Sequence, residues 1–455
     1  MTANDPACDP RQRTYEQRYA HGKQFRKTTP REGLADYAPP PRDPIAILNE
    51  SNQGRLTSLI PIRFERMAQS DFAFLRGAAD IMAHDLAAQA TPGILVQACG
   101  DCHLMNFGAF ASPENNVLFD INDFDETLPD VDFTVDLRRL ATSFAVAARA
   151  ASYSDKISRR IAQNVAEAYR NHMADLSELS PLEAWHSRVY MNRAAEELFD
   201  GKLVEKLRAA VSKARPDKDE DDNFPHIVKD KQTGSWRIAE RPPLIYHVET
   251  SSDPAAHVDL ASVFAACHAT LPPEVLALLQ RYRLADIAFK VVGVGSVGTF
   301  CAIGLFITED GEPLYLQLKE ARRSALERLG RPNWSGLQGA RVVSGQRIMQ
   351  GAADLFLGWA QDQASGRHFY VRHLKNRRLG SITELLEEKA LPQYAKLCGR
   401  TLARAHARSA DPAVVYGYMG KSEAFDDAIA SFAMLYAGQN RADFERFVDH
   451  AETAR

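Results

Sequence analysis

Cys99-Gly100-Asp101-Cys102-His103-Leu104-Met105-Asn106-Phe107-Gly108 is followed, one short hairpin later, by Phe119-Asp120-Ile121-Asn122-Asp123-Phe124-Asp125-Glu126. The first stretch sets an acid, Asp101, five positions ahead of an amide, Asn106. The second sets Asp120, Asp123 and Asp125 in a run that begins on an apolar strand. Ile94-Leu95-Val96 reads as a buried strand entering the first loop, and Asn116-Val117-Leu118-Phe119 as the hairpin arm that delivers the second cluster. Apolar strands beside both clusters predict partly buried acids. Desolvating a carboxylate is costly, so such acids point to a working site rather than to a solvated turn.

Length and composition bound the class. A chain of 455 residues with 45% hydrophobic and 25% charged residues can bury a large core in two or three lobes. A formal net charge of −4 supplies no global basic field, so nucleic acid is not an expected partner. The six cysteines, Cys8, Cys99, Cys102, Cys267, Cys301 and Cys398, are too sparse for a disulfide framework, and a reducing cytoplasm is the expected home. The polar start, with Pro6 and Pro10, does not read as a signal peptide. No run reaches spanning length, so no membrane association is expected.

The chain divides by pattern into four parts. Residues 1–45 are polar and Pro-rich, ending at Pro39-Pro40-Pro41, and read as an arm over the surface. Residues 46–258 hold a helical lobe with the acid loop and its hairpin. In this lobe Ser70 is a candidate N-cap for a helix running to Ala90 through Phe72, Phe74, Leu75, Met82 and Leu86. Helical periodicity returns from Asp136 to Ala150 and from Arg159 to His172, and the charged run 213–223 reads as a solvated loop. Residues 259–380 form a small β-rich lobe, and residues 381–455 are helices that complete the larger one.

Within the β-rich part, Ile287 to Val292 leads into Gly293-Val294-Gly295-Ser296-Val297-Gly298, and Phe300 to Ile307 continues in β-type residues to a Glu309-Asp310-Gly311 turn. A third strand, Leu314 to Leu318, ends at Lys319. Strand, glycine loop, strand, turn and strand with a terminal lysine is the arrangement in which backbone N–H groups close over phosphates while the lysine contacts them. A dinucleotide-binding fold would require a helix opening at the last glycine, but Thr299 to Ile307 is β-rich. A P-loop would require Gly-Lys-Ser or Gly-Lys-Thr, and Gly298-Thr299-Phe300 stands there instead.

The acid loop has rivals of its own. Cys99 to His103 matches the C-x-x-C-H haem-attachment pattern, which belongs to exported proteins. The same cysteines lack a second ligand pair at zinc-finger spacing. Gly-Asp-x-His also opens some two-metal phosphoesterase sites, but His84, His172, His186 and His226 form no ligand pattern.

The motifs GDCHLMNFG, FDINDFDET, FAFLRGAA, KVVGVGSVGT and LQLKEA together resemble a bacterial family designated domain of unknown function 2252, from about Arg55 to Leu435. More distantly, Gly100-Asp101 to Asn106 with Asp123-Phe124 resembles the Gly-Asp-Leu-His-x-x-Asn and Asp-Phe pair of aminoglycoside and choline-type phosphotransferases. Asp136-Leu137 falls where those enzymes often carry a structural Asp-Leu at a helix start, and Cys99 replaces their usual histidine. Cys398 to Ser409 resembles the helix that leads into their acid loop, yet it lies near the C-terminus, and the glycine loop follows the acid loop instead of preceding it. The resemblance therefore implies an α+β, protein-kinase-like two-lobe fold in circularly permuted order. Permutation is tolerated where the old termini lie close together at the surface.

That resemblance implies a phosphotransferase, or a nucleotidyl transferase, using ATP and Mg2+ on a small-molecule or protein acceptor. Asp101 would orient the acceptor and take its proton, with Asn106 and Asp123 on the metal. Asp120 and Asp125 compete for the metal role. Lys319 with Gly293, Gly295, Ser296 and Gly298 would position the phosphates. His103 reads as structural. Arg63, Arg66 and Arg76 are candidates for phosphate or an acidic substrate, and Gln346 is the one polar group found where a partner for Lys319 is sought. A metal-dependent phosphoesterase and a catalytically silent nucleotide-binding module are the alternatives.

Overall fold

Near-continuous burial along Cys301–Ile307 and Pro313–Glu320 marks the centre of the main sheet. The computed structural model describes residues 13–114, 116–198, 205, 224–229, 234–242, 244–247, 258–291, 295–331, 333–374 and 390–453. The strands are β1 (Leu95–Ala98), β2 (Phe107–Ala111), β3 (Val117–Ile121), β4 (Leu128–Asp132), β5 (Ile227–Lys229), β6 (Trp236–Ile238), β7 (Ile245–Tyr246), β8 (Arg283–Lys290), β9 (Cys301–Ile307), β10 (Pro313–Glu320), β11 (Gly358–Gln361) and β12 (His368–His373). Six of them form one antiparallel sheet in the order β11-β12-β10-β9-β8-β7, while β1-β4, β2-β3 and β5-β6 are separate pairs. With the long helices beside them, this is an α+β protein. The charged run 213–223 and Gly293 lie outside the described residues.

The sheet has two apolar faces. Leu314, Leu316 and Leu318 of β10 pack with Phe264 and Phe306 under the Leu260–Cys267 helix. Tyr315 lies on the opposite face with Ile303 and Leu305, as period-two alternation requires. β8 starts at Arg283, four residues before the expected Ile287, because Arg283 pairs with Ile307 of β9.

The helical body is built from helices Thr134–Ala150, Asp155–Ser177, Leu391–His406 and Ala424–Thr453, whose apolar faces merge through Leu140, Phe144, Val165, Tyr169, Leu402 and Phe432. The second helix starts earlier than Arg159 because Ser154 caps it and accepts from the Ile157 N–H, and it runs on past His172 to Ser177. The N-terminal helix Tyr15–Gln24 lies on Pro412–Met419 so closely that a Cβ on Gly22 would come within 2.1 Å of the Val414 carbonyl. Only glycine permits that approach.

Ser70 does cap a helix, accepting from the Ala73 N–H at 3.0 Å. The single helix expected to Ala90 is instead two, Asp71–Gly77 and Ala79–Ala87, broken at Ala78. The break has a physical cause: guanidinium groups take the carbonyls at the end of the first helix. Arg139 donates to Leu75 O at 2.9 Å and Arg63 donates to Gly77 O at 2.8 Å.

Strand alternation turns Ile121 into the main core and Asp120 away from it, toward the Leu391–His406 helix. There Asp120, 2% exposed, pairs with the buried Arg404 and accepts from the Gly351 N–H at 2.8 Å. Among the described residues no helix is long and apolar enough to cross a membrane. Arg404→Met strands the Asp120 carboxylate in the core and should cost about 3–5 kcal/mol in urea denaturation, whereas Asp120→Asn in the same chain should recover much of the loss.

Candidate functional site

The site grows from strand register. β10 pairs with β12 so that Lys319 stands opposite Tyr370 and Gln317 opposite Arg372, all on one face. Lys319 Nζ lies 2.5 Å from Asp125 Oδ2, and the Tyr370 hydroxyl donates to Asp125 Oδ1 at 2.5 Å. Two cross-strand neighbours thus grip both oxygens of one carboxylate. Asp123 Oδ1 is 3.8 Å from the same ammonium. Burial disfavours the Lys319 charge, but Asp123 and Asp125 outweigh it and hold its pKa above the ordinary value. Burial likewise opposes ionisation of Asp125, and Lys319 with Tyr370 overrides that to keep it below the ordinary carboxylate value. Arg372 adds a further, half-buried cation, bonded to Gln317 at 2.9 Å.

The glycine loop reaches the same carboxylate. Ser296 Oγ is 3.3 Å from Asp125 Oδ2. Arg55 fastens the loop by donating to the Gly295 and Val297 carbonyls at 2.9 and 2.7 Å, and Gly298 adopts φ +87°, where glycine alone is unstrained. The Leu56 N–H closes the turn on Gly298 O at 2.7 Å.

The acid loop is shaped by backbone and by buried charge. Asp136, at the start of its helix, accepts from the Cys99 and Gly100 N–H groups at 2.7 and 3.0 Å and from His406 Nε2 at 3.2 Å. Gly100 has φ +91°, and a Cβ there would fall 2.3 Å from Glu126 O. Arg139, one turn along the Asp136 helix, pairs with Asp101 through Nε at 2.8 Å and also through Nη2. Burial raises the Asp101 pKa, but Arg139 first and then His103 pull it well below the ordinary carboxylate range. The Asn106 amide donates to Asp101 O at 2.5 Å, and Asn122 N–H donates to Asn106 O at 2.8 Å. That second bond links the Asn106 turn to the segment carrying Asp123.

Asp101, Asn106, Asp123, Lys319, Gly295, Ser296 and Gly298 therefore meet around one region. Asp120, expected among the cation ligands, lies apart with Arg404. Gln346 donates to Gln350 at 2.9 Å and not to Lys319. From the same Gln338–Met349 helix, Arg341 donates to Asp125 O at 2.9 Å, to Arg322 O at 2.7 Å and to Thr127 O. Tyr370, Arg372 and Arg139 were not legible beforehand. Arg139 alone left a signal, three residues after Asp136 on one helix face.

Cys99, Cys102 and Asp136 offer donor atoms within 4.8 Å of one another. Burial pushes the Cys102 thiol up to about 11 and the Cys99 thiol well above its ordinary value, and Asp136 is engaged with backbone N–H groups. The Asp136 oxygens are already filled by those N–H groups and by His406, so the cluster reads as loop packing.

Glu126 is the group poised to titrate near neutrality. Burial, then the neighbouring Asp80, raises it from 4.5 to about 7, against the bond it accepts from the Ala325 N–H at 2.6 Å. The native carboxyl keeps its proton where the unfolded one has lost it, so this group's favourable contribution is present below about pH 4.5 and is lost as pH rises through about 7. Glu126→Gln should remove that fall and gain on the order of 1–3 kcal/mol over wild type at pH 8, with no gain at pH 4.5, in urea titrations at both values.

Comparison with curated proteins gave no match, and comparison with solved structures gave none either. Residues 55–450, which include the acid loop, the glycine loop and Lys319, match the family described as "Uncharacterized protein conserved in bacteria (DUF2252)". The match covers most of the chain, from Arg55 through the C-terminal helix, and the protein belongs to the DUF2252 family.

Proposed function

We propose that this protein is an ATP- and Mg2+-dependent phosphotransferase or nucleotidyl transferase with a kinase-like, circularly permuted two-lobe build. One observation carries the reading. A lysine on the third strand after a glycine loop is ion-paired to the acids that follow an Asp-x4-Asn loop, although the two segments lie almost two hundred residues apart. Permutation is supported by the seam: Ser409 Oγ accepts from the Gln97 N–H at 2.8 Å, and Tyr394 donates to Leu104 O at 2.8 Å. The end of the Leu391–His406 helix thus abuts the strand that enters the acid loop, as it would in a chain cut elsewhere.

The residues fit the chemistry. The amide oxygen of Asn106 and the carboxylates of Asp123 and Asp125 are hard oxygen donors suited to Mg2+, which would neutralise phosphate charge. Lys319 lies beside them to meet phosphate oxygens. Asp101, held ionised by Arg139, is a weak base, so its work is to orient an acceptor hydroxyl and receive the proton late, as a loose phosphoryl-transfer transition state permits.

Isothermal titration and ATP consumption, measured together, test the reading. Mg–ATP should bind the wild type, and Asp123→Asn should lose the magnesium dependence of that binding. Asp101→Asn should keep binding while turnover falls by about 100-fold or more. Wild type that binds two transition metals and no ATP would support the phosphoesterase, and binding with no turnover would support the silent module.

A further inference from the structure

Of the candidate anion-binding arginines Arg63 and Arg76, Arg76 is the one on which Asp101 and Asp123 act. Arg63 is spent on Asn52 at 2.6 Å and on Gly77 O at 2.8 Å, 1% exposed. Arg76 makes no hydrogen bond or ion pair among the described residues, and its Nε is buried without a partner. A half-buried guanidinium whose Nε is shut off from solvent and whose fork has no protein partner is open to a ligand.

The backbone around Arg76 is fixed on three sides. The preceding carbonyl, Leu75 O, is bonded to Arg139, the residue that also grips Asp101. The following carbonyl, Gly77 O, is bonded to Arg63. Its own carbonyl lies against the glycine loop, where a Cβ on Gly295 would come within 3.3 Å. Arg139 therefore sets the acid loop and the Arg76 turn in one rigid relation.

We infer that Arg76 binds the terminal phosphoryl group of the nucleotide, between Asp101 on the acceptor side and Asp123 on the metal side. This rests on the proposed function and names a residue that neither the glycine loop nor Lys319 supplies. The planar fork bonds two phosphoryl oxygens, and its charge counters the charge that spreads over them as the bond to the leaving oxygen lengthens. The helix Asp71–Gly77 thus adds a catalytic residue from outside the sheet and outside the acid loop.

The test uses the full-length protein, with MgADP and the magnesium complex of the β,γ-imido analogue of ATP as probes. Arg76→Met should melt at or above the wild-type temperature, since no hydrogen bond is lost. It should bind MgADP within about 2-fold of wild type, bind the imido analogue about 10-fold or more weakly, and consume ATP about 100-fold or more slowly. Arg76→Lys should recover part of the analogue's affinity and little turnover, because a point charge replaces a fork. Equal loss of both nucleotides, or wild-type turnover in Arg76→Met, would overturn the assignment while leaving the nucleotide site standing. Failure of the wild type to bind either nucleotide would overturn both, and is read before any variant is made.

Discussion

A single buried carboxylate organises the site. Asp136 stands at the head of a core helix with no exposed surface, and its oxygens gather the amides of Cys99 and Gly100 and the imidazole of His406. Three segments distant in sequence are thereby referred to one point. Tyr169 extends the chain of bonds, its hydroxyl 2.9 Å from His406 Nδ1. A carboxylate in such surroundings is tolerable only when its lone pairs are filled, and backbone N–H groups fill them with fixed geometry. The acid loop owes its shape to that requirement, and Asp101 owes its direction to the loop.

The second constraint is the pleat of the sheet. Because Lys319, Gln317, Tyr370 and Arg372 share a face, three polar groups and a phenol project together from apolar strands whose other face is occupied by leucines. Asp125 enters that array and satisfies two of its members. Glu320, one residue on, points to the opposite face and pairs with Arg367. A shift of one residue in the pairing of β10 would exchange the lysine for the glutamate, so the chemistry of the site and the register of the sheet are the same fact.

The parts legible in the sequence were those with local grammar. The strand, glycine-loop, strand and lysine pattern and, separately, the acid and amide of the first loop are each encoded in one short stretch of sequence, and Arg283–Lys290, Cys301–Ile307 and Pro313–Glu320 are strands with Lys319 on the third. The helix break at Ala78 was not legible, since it arises from two guanidinium groups outside the helix, one of them, Arg139, 64 residues beyond the carbonyl it takes. Asp120 looked equivalent to Asp123 because strand alternation could not be phased until β2 and β3 were paired. Tyr370 and Arg372 carry no motif at all. Their place follows from a pairing between β10 and β12, across an intervening helix and strand, which periodicity does not specify.

The seam between Ser409 and Gln97 also bears on how the protein is made. His406 lies 270 residues after Asp136 and Arg404 lies 284 after Asp120, so both buried carboxylates emerge from the ribosome long before their partners. At ~5–20 residues per second that interval is on the order of 10–60 s, during which the acid loop and its hairpin have nowhere to complete their core. A chain in which the Leu391–His406 helix came first would let that helix precede the loop it supports. Here the last third of the chain must be synthesised before the first can settle, which makes nascent-chain protection a requirement of the topology and truncation from the C-terminal side a lesion of the acid loop itself.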